Sequence, residues 1–319
     1  MTTFDRMCSD LELLRESGKA LSPDAETPIE IDPEAKLTFA VWGDPQIASW
    51  SALRSARVES ACKDLANCPQ PLDALILAGD LTENGKPEEF QMLQKLLCEH
   101  HDGFRSLLCV SGNHDIRMRN YYRQRRLFAE FTESIPGSFS GSRKTYYHKA
   151  VLNGYTFLLM GSDLATFEAA HIGAKQLDWL DRELTDAEKD SVVFVVNHQT
   201  LKNTNGLPDT WLGKGDWRGT IGRQSDDVRE IFEKHGNVFF ITGHLHYGTC
   251  ETTYEDHGAF KSLSVPTVGV VNHGSTDAPT QGYVVEVFAD HIRLRARVFG
   301  EGRYLPSDLP GADVTVPLP

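Results

Sequence analysis

The chain is predicted to fold as an α/β protein, on three observations. Short apolar runs recur along it, helix-patterned segments lie between several of them, and the leading runs end in polar, ligand-type residues. The runs are Leu37–Trp42, Ala74–Ala78, Leu107–Val110, Val192–Val196 and Val238–Ile241. They are nearly continuous and rich in branched and aromatic residues, the pattern of strands buried on both faces. Residues 51–65 and 87–100 carry helical apolar spacing and follow the first two runs as crossover helices. Residues 175–189 form another, with Leu177, Trp179, Leu180 and Leu184 on one side.

Taken in order, residues 1–36 form an N-terminal extension. Leu11, Leu13 and Leu14 with Glu12, Arg15 and Glu16 suggest a short amphipathic helix, and residues 22–34 read as an acidic linker. The helix is either packed on the domain or free to bind a partner. The main domain spans 37–305. Its first strand leads into Asp44-Pro45-Gln46 and its second into Gly79-Asp80. The third leads into Gly112-Asn113-His114-Asp115, the fourth into Asn197-His198 and the fifth into Gly243-His244-Leu245-His246. In open α/β sheets ligands gather beyond the carboxyl ends of strands, and every one of these strings falls there. Gly43, Gly79, Gly112 and Gly243 suit the close backbone approach such turns need. Residues 282–299 alternate around Ala289-Asp290 and predict a hairpin. The Pro-rich tail, 306–319, reads as irregular.

A lone Gly-Asp after a strand is usually a turn or a helix cap. A single buried histidine is usually a hydrogen-bonded one. The conjunction is different: Asp, Gln, Asp, Asn and three His side chains, each aimed from a strand end, suit two neighbouring divalent metals. Such a pair can clamp a phosphoryl oxygen and activate a water. A bridging carboxylate would hold the cations close, while neutral His and Asn donors leave the cluster positive enough to attract phosphate.

These strings resemble the calcineurin-like metallophosphoesterase superfamily, whose pattern is Asp-x-His, Gly-Asp, Gly-Asn-His-Asp/Glu, a lone His, then Gly-His-x-His. The resemblance covers about residues 37–290. It implies a four-layer α/β/β/α sandwich with two mixed β-sheets, the predicted hairpin closing the second. It also implies that Asp44, Gln46, Asp80 and His246 hold one metal, and Asp80, Asn113, His198 and His244 the other. His114 would be the non-ligand that stabilises the transition state or protonates the leaving group, steadied by Asp115. The implied activity is a phosphoric ester hydrolase using two divalent or trivalent ions: manganese, iron, zinc or magnesium. Similarity to compact bacterial cyclic-nucleotide phosphodiesterases favours a small phosphodiester over a phosphomonoester. A protein phosphatase, a nuclease and a non-catalytic scaffold of the same fold are the alternatives. One position departs from the pattern: Gln46 stands where most relatives have His. An amide oxygen is a harder donor than imidazole and favours manganese, magnesium or iron over zinc.

Composition adds boundaries. The 319 residues suffice for one large α/β domain, and 32 Lys plus Arg against 45 Asp plus Glu give a net charge of -13. That acidity disfavours extended nucleic acid but not a small phosphate ester. The six cysteines show no Cys-x-x-Cys spacing and read as free thiols of a reducing, cytoplasmic protein. No segment reaches the roughly 20 apolar residues of a membrane helix, and the N-terminus lacks the features of a secretory signal.

Two insertions bear on substrate choice. Arg117, Arg119, Arg123, Arg125 and Arg126, with Tyr121 and Tyr122, read first as a solvated helix face whose arginines pair with acids. The other reading is contact with a second phosphate or a nucleobase. Residues 199–224, directly after His198, contain Trp211, Trp217, Arg218 and Arg223 and read as a substrate-binding lid.

Overall fold

The computed structural model describes residues 1–17, 27–117, 120–139, 141, 143–187, 191–206, 219–273 and 279–318. Four layers are built from two mixed sheets and their helices. The first sheet contains β1 (Leu37–Trp42), β2 (Leu72–Leu77), β3 (Phe104–Cys109), β10 (Gln281–Val287), β11 (His291–Val298), β12 (Arg303–Tyr304) and β13 (Asp313–Pro317). Its order is β12-β11-β10-β1-β2-β3, with β13 also on β11. Strands β1, β2 and β3 are parallel, and β10 is antiparallel to β1. The second sheet contains β4 (His148–Leu152), β5 (Tyr155–Leu159), β6 (Val193–Val196), β7 (Val238–Thr242), β8 (Tyr254–Asp256) and β9 (Phe260–Ser264). Its order is β4-β5-β6-β7-β9-β8, parallel from β5 through β9.

Strand alternation assigns each side chain to a layer. Phe39, Val41, Ile76 and Leu108 face Phe157, Phe194, Phe239 and Ile241 across the inter-sheet core. Ala40, Trp42, Leu75 and Leu107 point the other way. They meet α1 (Thr3–Glu16), α2 (Ala52–Ala66), α3 (Pro87–Glu99) and α5 (Tyr121–Ser134). The four-residue α4 (Asn113–Ile116) follows β3. Leu158, Val193, Val195 and Phe240 pack instead on α6 (Ala174–Asp186) and α7 (Ser225–His235). Local signals set the helix ends. Pro87 starts α3 with its φ already helical. Gly236, in the left-handed region at φ 74°, stops α7.

Three placements refine the sequence reading. The hairpin is β10–β11, but it lies beside β1 in the first sheet and does not close the second. Every residue of β10 is buried, so this strand needs a neighbour on each side, and β1 supplies one. The tail is not wholly irregular: Asp313–Pro317 pairs with β11, and its Val316 is buried in the inter-sheet core. The N-terminal helix packs on the domain, burying Met7 and Leu11 against the first outer layer. Its Leu13 stays exposed.

A buried ion pair ties the end of β11 to α2. Arg297 donates through Nε and Nη2 to the two Asp64 oxygens, both at 2.7 Å, and through Nη2 to the Thr27 carbonyl at 2.8 Å. Neither side chain of the pair is accessible. Removing one partner strands a buried charge. Arg297→Met should therefore lower unfolding stability by about 3–5 kcal/mol, and adding Asp64→Leu should recover most of it. Urea midpoints measure both, and an unchanged midpoint for the single variant would refute a structural role for the pair.

Candidate metal centre

Strands β1, β2, β3, β6 and β7 deliver their following loops to one rim, and backbone hydrogen bonds stitch those loops together. Asp44 N–H donates to the Gly79 carbonyl at 3.3 Å, and Gln46 N–H to that of Asp80 at 2.8 Å. His114 N–H donates to Asp80 Oδ1 at 2.8 Å, and His244 N–H to Asp44 Oδ2 at 3.0 Å. Gly112 lies so close that a Cβ there would sit 2.0 Å from Asp80 Oδ1. A Cβ on Gly79, whose φ is 92°, would sit 2.5 Å from His198 Nδ1. Glycine at these two positions is a steric requirement of the loop crossing.

Five of the seven predicted ligands adopt positive φ: Asp44 at 50°, Gln46 at 37°, Asp80 at 47°, His244 at 73° and His246 at 54°. Non-glycine residues rarely do so, and such conformations cost on the order of 1–3 kcal/mol each. The hydrogen bonds above hold this strain in place. It turns the side chains back toward one another where a continuing strand would send them apart.

The side chains converge as two groups. One donor atom from each of Asp44, Asp80 and His246 lies within 4.8 Å of the others, and the same holds for Asp80, His198 and His244. Asp80 belongs to both. His246 Nε2 is 2.9 Å from Asp44 Oδ1, and His198 Nε2 is 3.2 Å from Asp80 Oδ2 and from His244 Nδ1. His198 Nδ1–H donates to the Ala78 carbonyl at 2.8 Å, so Nε2 is the nitrogen turned toward Asp80 and His244. Asn113 donates through Nδ2 to Glu168 Oε2 at 3.1 Å, while its buried Oδ1 has no hydrogen-bond partner. His244 Nε2 is likewise buried and without a partner. The Gln46 amide is buried, with Nε2 3.5 Å from Asp80 Oδ2. A half-turn of the amide presents its oxygen instead. Orphaned acceptors beside paired carboxylates fit a pair of cations.

Electrostatics point the same way. Burial alone would raise the Asp80 carboxyl, but His198 and His114 outweigh it and hold it well below the usual range. Burial would lower His198, yet Asp80 and then Asp44 lift it to about 9. Burial and the His198 charge push His244 down. His198 is thus drawn to two buried acids, while His244 beside it is kept from charging.

His114 lies beside these groups, its Nε2 3.9 Å from Asp80 Oδ2. Asp115, expected to steady it, shares no hydrogen bond with it. Asp115 accepts from Leu81 N–H, Thr82 N–H and Oγ1–H, and Gly112 N–H at 2.7–3.1 Å. It thereby locks the loop after Asp80 to the turn bearing Asn113. Burial and then the Asp80 charge push its carboxyl up to about 6. His114 is held instead by the Glu83 carbonyl, 2.9 Å from Nδ1, and by Arg117 Nη2, 2.8 Å from Nε2. A carbonyl only accepts and a guanidinium only donates, so this arrangement selects the Nδ1–H tautomer. Arg117 in turn pairs with Glu168.

Sequence reasoning missed Glu83 and Glu168, since neither lies in a ligand string. Glu83, four residues after Gly79, carries no signal of its own, and Glu168 is brought in from the β5–α6 connection. Of the arginine-rich segment, Arg126 pairs with Glu130 on α5, as a solvated face would. Trp211, Trp217 and Arg218 lie outside the described residues. Arg223 sits in the short turn before α7 and lines a surface depression with Lys202 and Asp226.

A model of the calcineurin-like phosphoesterase family matches residues 37–248. A 3',5'-cyclic-nucleotide phosphodiesterase of Nostoc sp. is 22% identical over 58% of this chain and 59% of its own length. A cAMP/cGMP dual specificity phosphodiesterase of Mycobacterium tuberculosis is 24% identical over 56% of this chain and 50% of its own. The matches thus span only half to three-fifths of these curated relatives. Among solved structures, a dimetal phosphatase from Danio rerio superposes with TM-score 0.59 at 14% identity, covering 89% of this chain and all of that one. A purple acid phosphatase from yellow lupin gives TM-score 0.62 at 14% identity, covering 88% of this chain and 53% of that one. These two likenesses establish the fold.

Proposed function

The chain belongs to the calcineurin-like phosphoesterase family, and from that premise we propose that it hydrolyses a small phosphodiester at a two-metal centre. The observation that carries this reading is the pair of donor groups sharing Asp80. Asp44, Gln46, Asp80 and His246 would hold one cation, and Asp80, Asn113, His198 and His244 the other. Bound there, two cations supply Lewis acidity toward the phosphoryl oxygens and lower the pKa of a water. The protein's own part is orientation. The Ala78 carbonyl fixes the His198 ring, and Glu168 holds the Asn113 amide by Nδ2, leaving its buried Oδ1 without a hydrogen-bond partner. His114 stands where it can reach an oxygen of a phosphate held beside Asp80. The activities named for the Nostoc and Mycobacterium relatives favour a cyclic nucleotide as substrate.

The six free thiols favour a reducing compartment such as the cytoplasm, and no helix among the described residues is long and apolar enough to cross a membrane. Turnover of aryl phosphomonoesters and phosphodiesters, measured in parallel with manganese, iron, zinc and magnesium, tests the proposal. Absence of turnover on every ester with every metal would sink it.

Gln46 gives a sharper test of the ligand set. Gln46→His should move metal preference toward zinc, because imidazole is the softer donor. Gln46→Ala should weaken one site selectively, since His198, His244 and Asn113 do not depend on it. Metal titrations of the three proteins decide this. Indistinguishable affinities and preferences would remove Gln46 from the ligands.

A further inference from the structure

Two exposed aromatic rings each lie against an arginine tied to the centre. Trp50, 66% exposed, has Arg54 over its ring at 4.7 Å, and Phe167, 72% exposed, has Arg117 over its ring at 4.7 Å. Arg54 is committed to structure: it donates to the Gln46 carbonyl at 3.1 Å and pairs with Glu83. Arg117 is also ion-paired, with Glu168, but reaches further toward the centre. Its Nη2 meets His114 Nε2, on a ring that itself approaches Asp80 Oδ2. Its Nε is buried without a hydrogen-bond partner. A guanidinium has five donors in a planar fork matched to phosphate oxygens, and although Nη1 is held by Glu168, Nη2 carries a second N–H besides the one that meets His114. Phe167 shields one face of the guanidinium and leaves much of its own surface in water. The same loop also exposes Leu164.

We propose that Arg117 and Phe167 form a subsite for the organic half of the substrate, an inference that rests on the phosphoester reading above. Arg117 binds a phosphate oxygen, and Phe167 receives a planar aromatic group joined to that phosphate, a nucleobase or an aryl ring. The substrate class is therefore aromatic-bearing phosphoesters. Aliphatic ones lose the ring contact while keeping the contact with Arg117. One charged contact and one ring contact together select for both halves of such an ester.

Calorimetric binding of phenylphosphonate and methylphosphonate to the metal-loaded full chain tests this without turnover. The wild type should prefer the phenyl ligand by about tenfold, the scale of one aromatic pair. Phe167→Leu should cut that preference to about twofold and leave methylphosphonate affinity unchanged. Arg117→Ala should weaken both ligands by about tenfold with metal content intact, and Arg117→Lys should restore part of the loss. An unchanged preference in Phe167→Leu, or its loss in Trp50→Leu instead, overturns the subsite while leaving the phosphoester reading standing. Loss of metal in Arg117→Ala would make that residue a support for Asn113 through Glu168, which also overturns it. If the wild type binds neither phosphonate, both the subsite and the reading it rests on are wrong.

Discussion

Asp80→Asn is expected to abolish turnover and to lower occupancy at both metal positions together. The expectation follows from geometry, since Asp80 belongs to both donor groups and its two oxygens face different partners. Oδ1 accepts from the His114 backbone, and Oδ2 faces His198 and Gln46. An amide of the same shape removes the charge that offsets two cations and leaves one weak donor oxygen. The Asp80 backbone, with φ 47°, should tolerate asparagine, which enters the left-handed region more readily than most residues. The loss should therefore be chemical, without unfolding. Metal content by mass spectrometry, thermal unfolding and turnover separate the possibilities. Two metals per chain with near-normal turnover would remove Asp80 from the bridging role.

His114→Ala is expected to leave metal content nearly intact while turnover falls about a hundredfold or more, the scale of a lost general acid. The drop should shrink for esters with very acidic leaving groups, which need little protonation. The structure adds a competing outcome. His114 Nε2 faces the Arg117 guanidinium and Nδ1 faces a carbonyl, so Nε2 meets a donor where a general acid would meet the leaving oxygen. An equal loss for good and poor leaving groups would mean that His114 acts by placing Arg117 and the phosphate, not by giving up a proton. Loss of metal would make it a ligand.

The strand runs and the ligand strings could be read from the sequence because both are local. A strand buried on both faces must be apolar at consecutive positions, and the polar residue that ends it is visible by contrast. Hence β1, the helices α2 and α3, and the ligand strings carrying Asp80, His198 and His246 are found close to where the sequence puts them. The departure at Gln46 was equally legible, being a single residue type out of pattern. Edge strands were harder: β4, β8 and β13 are short and half-exposed, and residues 313–317 hide their alternation among prolines and glycine.

The sequence by itself determined that this is an α/β chain whose candidate ligands sit beyond strand ends. Their chemical types also follow from it, because hydrophobic pattern and donor identity are written residue by residue. Only the tertiary structure decided where the hairpin docks, because the alternation of β10 and β11 fixes their pairing with each other but not the sheet they join. Only the tertiary structure turned five ligands to positive φ, a strain no residue type announces and which bonds between distant loops must hold. It also gave Asp115 to the Gly112 turn and gave His114 to Glu83 and Arg117. Those partners come from loops that meet only once the sheets have packed, and side-chain direction at such a crossing depends on the backbone angles of every loop involved.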